Sequence, residues 1–181
     1  NGDFRQAKDP AGMPDHWQFS TDAKQATCVL EPIATGAPQP CLRITCPGFG
    51  DRDRGSVMLA QLDVPVEAGQ WYRISLRAKG SGLERGGVTL ALQSTATWTS
   101  LFEYQRFVPR EPWKEYTFLV QAKATATNKT RLQIWHGLAG TLWLADVRVA
   151  PCDPPAEGRW TSGLYVDAPQ EWDDPYRFFR W

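Results

Sequence analysis

An excess of charge of either sign is the first thing this sequence lacks. Its 181 residues hold 20 Lys and Arg against 20 Asp and Glu, a formal net charge of zero, with a pI near 6.9. A nucleic-acid binder normally carries a basic patch that neutralises phosphates, so that class is set aside. No apolar run approaches the roughly 20 residues that cross a bilayer as a helix, and no membrane partner is expected. The opening Asn1-Gly2-Asp3 is polar and does not read as an apolar leader. Methionine is down to two residues, and lysine is scarcer than arginine. No C-x-x-C pair occurs among the four cysteines, and no histidine stands at ligand spacing from them, which argues against zinc. No apolar period of 3.6 residues is sustained, so helices are not expected. What the chain has in plenty is tryptophan, nine residues, and proline, fourteen.

Short segments of period two fill most of the remainder. Cys41-Leu42-Arg43-Ile44-Thr45-Cys46 alternates cleanly. Trp71 to Ala78 puts Tyr72, Ile74, Leu76 and Ala78 on one face and Arg73, Ser75 and Arg77 on the other. Val88, Leu90 and Leu92 face a core, opposite Thr89, Ala91 and Gln93. Further strands are expected over Asn1–Phe4, Ala26–Glu31, Ser56–Val64, Phe102–Val108 and Trp113–Val120, with turn residues between them. The stretch Arg131 to Val149, RLQIWHGLAGTLWLADVRV, reads as a hairpin turning at Gly137 and Gly140. Eight to ten strands at this spacing predict an all-β fold, an antiparallel β-sandwich or jelly roll. It would span residues 1–150. Residues 151–181 read as a linker and an irregular aromatic C-terminal arm, packing on the sandwich or leading to a catalytic domain.

The four cysteines, Cys28, Cys41, Cys46 and Cys152, allow three full pairings. Cys41 and Cys46 share one predicted strand, about 16 Å apart at about 3.3 Å per residue, too far to bridge. The favoured pairing is Cys28–Cys41 across a hairpin and Cys46–Cys152 at the end of the sandwich, with buried free thiols as the alternative. Disulfides would imply an oxidising, secreted setting.

The opening NGDF, the run SVMLAQLDVPVEAGQWYRISLRAKG, the segment EPWKEYTFLV and the closing GTLWLADVRV resemble the carbohydrate-binding modules of families 4, 9 and 22. The resemblance covers residues 1 to about 150. It implies a galactose-binding-like jelly roll with a groove for polysaccharide, commonly xylan, β-glucan or amorphous cellulose. Such modules are usually appended to glycoside hydrolases and do no chemistry themselves. They often hold a structural calcium between the chain ends. Here Arg5 stands where the family places a Glu, and Ala145 where it places an Asp, leaving Asp3 and Asp146 as nearby carboxylates. Calcium takes six to eight oxygens, so no cofactor is expected. An Arg5–Asp146 salt bridge is expected to join the ends instead, with the loop Asp51–Asp53 as another place for calcium.

A sugar ring offers apolar C–H faces and a rim of hydroxyls. Flat aromatics suit the first and planar polar groups the second. Gln61, Arg77, Gln93, Gln133 and Trp135 fall opposite the predicted core positions. Trp98 and Tyr104 lie in or beside a Ser/Thr-rich loop that could wall a groove, with His136 at its edge. These eight are the candidate carbohydrate-binding residues. Each has a plainer reading: Trp135 as a layer beneath the C-terminal arm, Trp98 as a loop anchor, Arg77 and Gln93 as solvated positions. Trp17, Trp71, Trp113 and Trp143 read as packing.

No catalytic residue is assigned. A hydrolase needs two carboxylates across the scissile bond, and Glu103, Glu111 and Glu115 cluster near one predicted hairpin. A lyase would draw on Tyr104, His136 and Arg77. No G-x-S-x-G elbow is present. Three readings follow: a noncatalytic module targeting an attached glycoside hydrolase, a jelly-roll lyase or hydrolase, and an accessory domain docked on a catalytic partner.

Overall fold

Alternation along a strand sends successive side chains to opposite faces, so each period-two segment must find a core for its apolar half. The structure, a computed structural model, describes residues 2–6, 12–31, 40–50, 55–83 and 85–155. Among them lie ten strands: β1 (Trp17–Thr21), β2 (Thr27–Glu31), β3 (Cys41–Cys46), β4 (Val57–Leu62), β5 (Trp71–Ser81), β6 (Val88–Ser94), β7 (Gln105–Phe107), β8 (Lys114–Gln121), β9 (Thr130–His136) and β10 (Gly140–Cys152). They form two five-stranded sheets with antiparallel pairing throughout, β1-β4-β9-β6-β7 and β2-β3-β10-β5-β8. The all-β sandwich expected from the sequence is the fold.

The inner faces meet in one core. Leu59, Leu90, Leu92, Leu132 and Ile134 come from the first sheet, and Leu42, Ile44, Ile74, Leu76, Leu142 and Leu144 from the second, each at most 1% exposed. Burying one such side chain is worth about 1.5–3 kcal/mol, which outweighs any local preference of these short strands.

Four expectations are corrected here. The stretch 131–149 is not a hairpin, because β9 and β10 belong to different sheets. β9 pairs with β4 and β6, and β10 with β3 and β5. The turn at 137–139 carries the chain over the core edge, so the two apolar faces meet from opposite sides. Alternation is the same for a hairpin and for such a crossover, which is why the sequence does not distinguish them. Gly140 makes the crossing at φ 150°, where a Cβ would stand 2.7 Å from Ser81 O.

The opening residues 2–4 form a turn rather than a strand, with Phe4 at φ 58°. Phe4 is 1% exposed and packs edge-on against Trp17, centroids 5.2 Å apart. The expected Arg5–Asp146 bridge does not form. Arg5 Nε lies 3.7 Å from Asp3, and Asp146 lies 3.4 Å from Arg148 Nη2. The ends are joined by backbone instead: Val147 N–H donates to Gly2 O at 3.0 Å. A Cβ on Gly2 would sit 1.6 Å from Val147 O, so glycine is what permits the approach.

The disulfide expectation is also corrected: all four cysteines are free. Cys28 pairs with Ile44 and Cys41 with Glu31, so the thiols of Cys28 and Cys41 leave opposite faces of the second sheet. Cys46 pairs with Gly140 at the start of β10, whereas Cys152 ends that strand. The separation is about 40 Å at about 3.3 Å per residue. Burial pushes the Cys28 thiol up to about 12. Burial, then the Glu31 charge, pushes Cys41 up to about 11, with Arg43 acting the other way. Both remain protonated and poorly nucleophilic at neutral pH. The arm beyond residue 155 and the Asp51–Asp53 loop lie outside the described residues.

Candidate functional site

Because β9 sends Leu132 and Ile134 into the core, Arg131, Gln133 and Trp135 must emerge on the outer face of the first sheet. β6 does the same with Thr89, Ala91 and Gln93, and β4 with Met58, Ala60 and Leu62. Register arranges them in three rows across the sheet: Met58–Trp135–Thr89, Ala60–Gln133–Ala91 and Leu62–Arg131–Gln93. In the middle row two alanine methyls flank Gln133, and Ala60 and Ala91, 2% and 1% exposed, lie covered by their larger neighbours. Arg131 and Trp135 lie about 13 Å apart along β9, at about 3.3 Å per residue.

A chain of planar polar groups crosses this face. With the Gln133 amide oriented so that its oxygen faces Arg131, Arg131 Nε and Nη2 donate to it at 3.0 and 3.1 Å. The Gln93 amide, turned likewise, donates to the same oxygen at 2.6 Å, and the Tyr104 hydroxyl then donates to the Gln93 oxygen at 2.9 Å. Gln133 is only 6% exposed, so its bonds are held away from competing water. Each side chain fixes the next.

Trp98 stands at one end. Its ring lies 5.1 Å from the Arg131 guanidinium and is 61% exposed; Tyr104 is 51% exposed. The loop that carries Trp98 is tightly tied. Trp98 N–H donates to Ser94 O at 2.9 Å, Ser94 N–H to Thr99 O at 2.9 Å, and Thr95 N–H to Lys129 O at 2.6 Å. Trp98 itself sits at φ 57°, a conformation that costs a bulky residue free energy. The loop thus holds a large ring in a strained conformation and in water, stacked on a guanidinium that is fixed through Nε and Nη2 to Gln133.

Five of the eight predicted residues therefore meet on one face: Trp135, Gln133, Gln93, Trp98 and Tyr104. Three do not. Gln61 pairs with Leu132 and Trp17, which turns it toward the core side. Arg77 belongs to β5, in the opposite sheet. The alternation was read correctly, but it does not say which of two sheets an outward residue belongs to. His136 shares the core parity of Leu132 and Ile134 and is 2% exposed. Its Nδ1 contacts Leu138 O at 3.0 Å, while Nε2 is buried without a partner. Burial lowers its pKa, opposed by that bond to Leu138.

Sequence reasoning missed Arg131, Met58, Ala60 and Ala91. Arg131 was legible, standing two residues before Gln133 on the same strand face. The alanines were not, because a row across the sheet is defined by neighbours on other strands.

The catalytic constellations are not assembled. Tyr104, His136 and Arg77 lie respectively at the outer face of the first sheet, in the core and on the second sheet. Glu103 pairs with Lys123, Glu111 lies 3.3 Å from Lys79 Nζ, and Glu115 sits opposite Arg77 on the second sheet. Asp3 and Asp146 do not fit a calcium site, since each already faces an arginine. Among the described residues no group of three or more His, Cys, Asp or Glu could hold a metal ion.

No family model matches this sequence, and no curated protein matches it. Solved structures do match. A family 4 carbohydrate-binding module superposes with a TM-score of 0.57 at 22% identity, covering 84% of this chain and 98% of its own. The N-terminal cellulose-binding domain of Cellulomonas fimi β-1,4-glucanase C superposes with a TM-score of 0.52 at 17% identity, covering 83% of this chain and 94% of its own. An arabinose-bound α-L-arabinofuranosidase gives a TM-score of 0.58 at 17% identity over 76% of this chain. The chain spans only 23% of that enzyme. The chain shares its two-sheet β-sandwich fold with these structures.

Proposed function

We propose that this chain is a noncatalytic carbohydrate-binding module. Its ligand is a plant cell-wall-type polysaccharide of the xylan or β-glucan class, held on the outer face of the first sheet. The observation that carries the reading is the ordered chain Arg131–Gln133–Gln93–Tyr104 beside an exposed, loop-locked Trp98. Pyranose faces stack on Trp98 and Trp135. The amides, the Tyr104 hydroxyl and the guanidinium edge meet the hydroxyls, with little side-chain entropy left to lose. The shared fold with a cellulose-binding domain supports this reading.

Two further points belong to the proposal. Such a module would target an attached glycoside hydrolase, a role supported by the fold's recurrence as 23% of an arabinofuranosidase chain. A cell-wall polysaccharide lies outside the cell, which supports an extracellular setting; the free thiols lend it nothing.

Affinity electrophoresis in gels of xylan, β-glucan, glucomannan and pectin tests the reading, with Trp98→Ala and Trp135→Ala run beside the parent. The expected outcome is retardation by at least one glycan, with Kd between about 1 μM and 1 mM, lost in Trp98→Ala with thermal unfolding unchanged. No retardation in any gel, or equal retardation of the variants, would contradict it. New reducing ends or unsaturated products would mean an enzyme.

A further inference from the structure

The second sheet has an outer face of its own, and it is not evenly neutralised. Arg43 Nε lies 2.5 Å from Glu31, and Lys79 Nζ lies 3.3 Å from Glu111 and 5.0 Å from the Trp143 ring. These cations are matched. Arg77 is not: among the described residues its contact is the Trp113 ring, 6.0 Å from Cζ. Glu115 stands directly across the ladder from Arg77, yet the two form no ion pair. Arg148 reaches Asp146 through one nitrogen at 3.4 Å and is otherwise 68% exposed.

These groups surround a depression. A β-bulge between Ala145 and Arg148 shifts the register of β10 against β5, with Asp146 at φ 53°. The hollow beside it, about 180 Å³, is lined by Ser75, Leu76, Arg77, Glu115, Asp146 and Arg148. It is smaller than the roughly 300–1,000 Å³ of drug-sized pockets, so it suits one monosaccharide-sized group rather than a chain. The Asp146 side chain is only 14% exposed, which holds one acceptor at the bottom. Two guanidiniums and two carboxylates around one hollow ask for a ligand with both an anionic group and hydroxyl donors.

We propose that this hollow is a second saccharide site that takes a uronic-acid residue. The uronate carboxylate accepts from Arg77 and Arg148, for which bidentate planar donors are well suited. The ring hydroxyls donate to Glu115 and Asp146, and the Ser75 hydroxyl adds a neutral partner. The site lies on the opposite sheet from the Trp98 groove, so it goes beyond the polysaccharide reading and does not depend on it.

The test is an amide-resolved NMR titration of the full chain with methyl β-D-glucuronide and, separately, with methyl β-D-glucoside. The glucuronide is expected to shift the amides of Ser75, Leu76, Arg77, Glu115, Val147 and Arg148 and to saturate in the millimolar range. The neutral glucoside is expected to leave them in place. Arg77→Gln should weaken glucuronide binding at least tenfold, and Arg148→Gln severalfold, each with unchanged thermal unfolding. Trp98→Ala should bind the glucuronide at this hollow as the parent does, even if the groove reading fails. Equal shifts with the two glycosides, shifts confined to the first sheet, or an Arg77→Gln variant that titrates like the parent would overturn the proposal.

Discussion

On the outer face of the first sheet, tryptophan keeps company with amides and alanines; on the second, with cations and carboxylates. Across β4, β9 and β6 the outward set is Met58, Ala60, Leu62, Thr89, Ala91, Gln93, Arg131, Gln133 and Trp135, with a single charge. Across β3, β10 and β5 it includes Arg43, Trp143, Lys79, Arg77 and Arg148. Trp98 and Trp143 each have a cation near the ring, at 5.1 and 5.0 Å. The difference lies in what else holds that cation. Arg131 is tied into the neutral ladder and leaves Trp98 61% exposed. Lys79 is tied to Glu111 and lies over a half-buried Trp143. Aromatic content alone does not make a platform. On the proposed reading, a neutral, pre-bonded neighbourhood that leaves the ring in water is what makes one.

Enlarging the alanine row should break the comparison most sharply. Ala91→Leu places a branched side chain beside Gln133 and should lower polysaccharide affinity more than tenfold; because Ala91 is 1% exposed, the added volume should also cost about 1–3 kcal/mol of stability, so binding is measured well below the unfolding temperature. Isothermal titration with the retarding glycan checks this, and retained affinity would mean the ligand does not cross that row. A smaller effect is expected from Gln133→Leu, which leaves Gln93 and Arg131 short of a partner. Losing one net hydrogen bond to the glycan costs about 0.5–1.5 kcal/mol, or about two- to tenfold in affinity at 1.4 kcal/mol per decade. Arg43→Gln on the other sheet is the matched control. Surface ion pairs are worth about 0–1 kcal/mol, so glycan affinity should stay within twofold.

The smallest effect is a pH dependence carried by the first sheet alone. His136 is buried neutral, with its folded pKa below the unfolded value of 6.5. Above pH 6.5 both states are neutral there and stability is flat. As pH falls below 6.5 the unfolded chain takes up the proton first, and stability declines until the lowered folded pKa is passed. Urea unfolding between pH 7.5 and 5.5 should show this decline in the parent and lose it in His136→Phe. An unchanged slope in the variant would assign the dependence elsewhere.

Much of the fold was written in the chain because period two survives any topology. The register of Leu132 and Ile134 against Gln133 and Trp135, and of Tyr72, Ile74 and Leu76 against Arg73, Ser75 and Arg77, holds as read. Which strands share a sheet was not legible, since β9 and β10 follow one another in sequence yet face each other across the core. That one ambiguity misplaced Arg77. A second arises at strand ends: Gln61 and His136 have polar side chains at core parity, and sequence polarity spoke louder than parity. Cysteine spacing misled in the same way, because Cys28 and Cys41 look adjacent across a hairpin while their side chains leave opposite faces. The five residues that did converge, Trp98, Tyr104, Gln93, Gln133 and Trp135, were found by chemistry and strand parity together.

The most direct measurement is an amide-resolved NMR map of the chain titrated with a neutral oligosaccharide of whichever polysaccharide retards it. The account predicts shifts over Thr89–Ser94, Thr95–Tyr104 and Thr130–Trp135, with β3, β5 and β10 silent. Shifts centred on Arg43, Lys79 and Trp143 would contradict it, placing the platform on the wrong sheet.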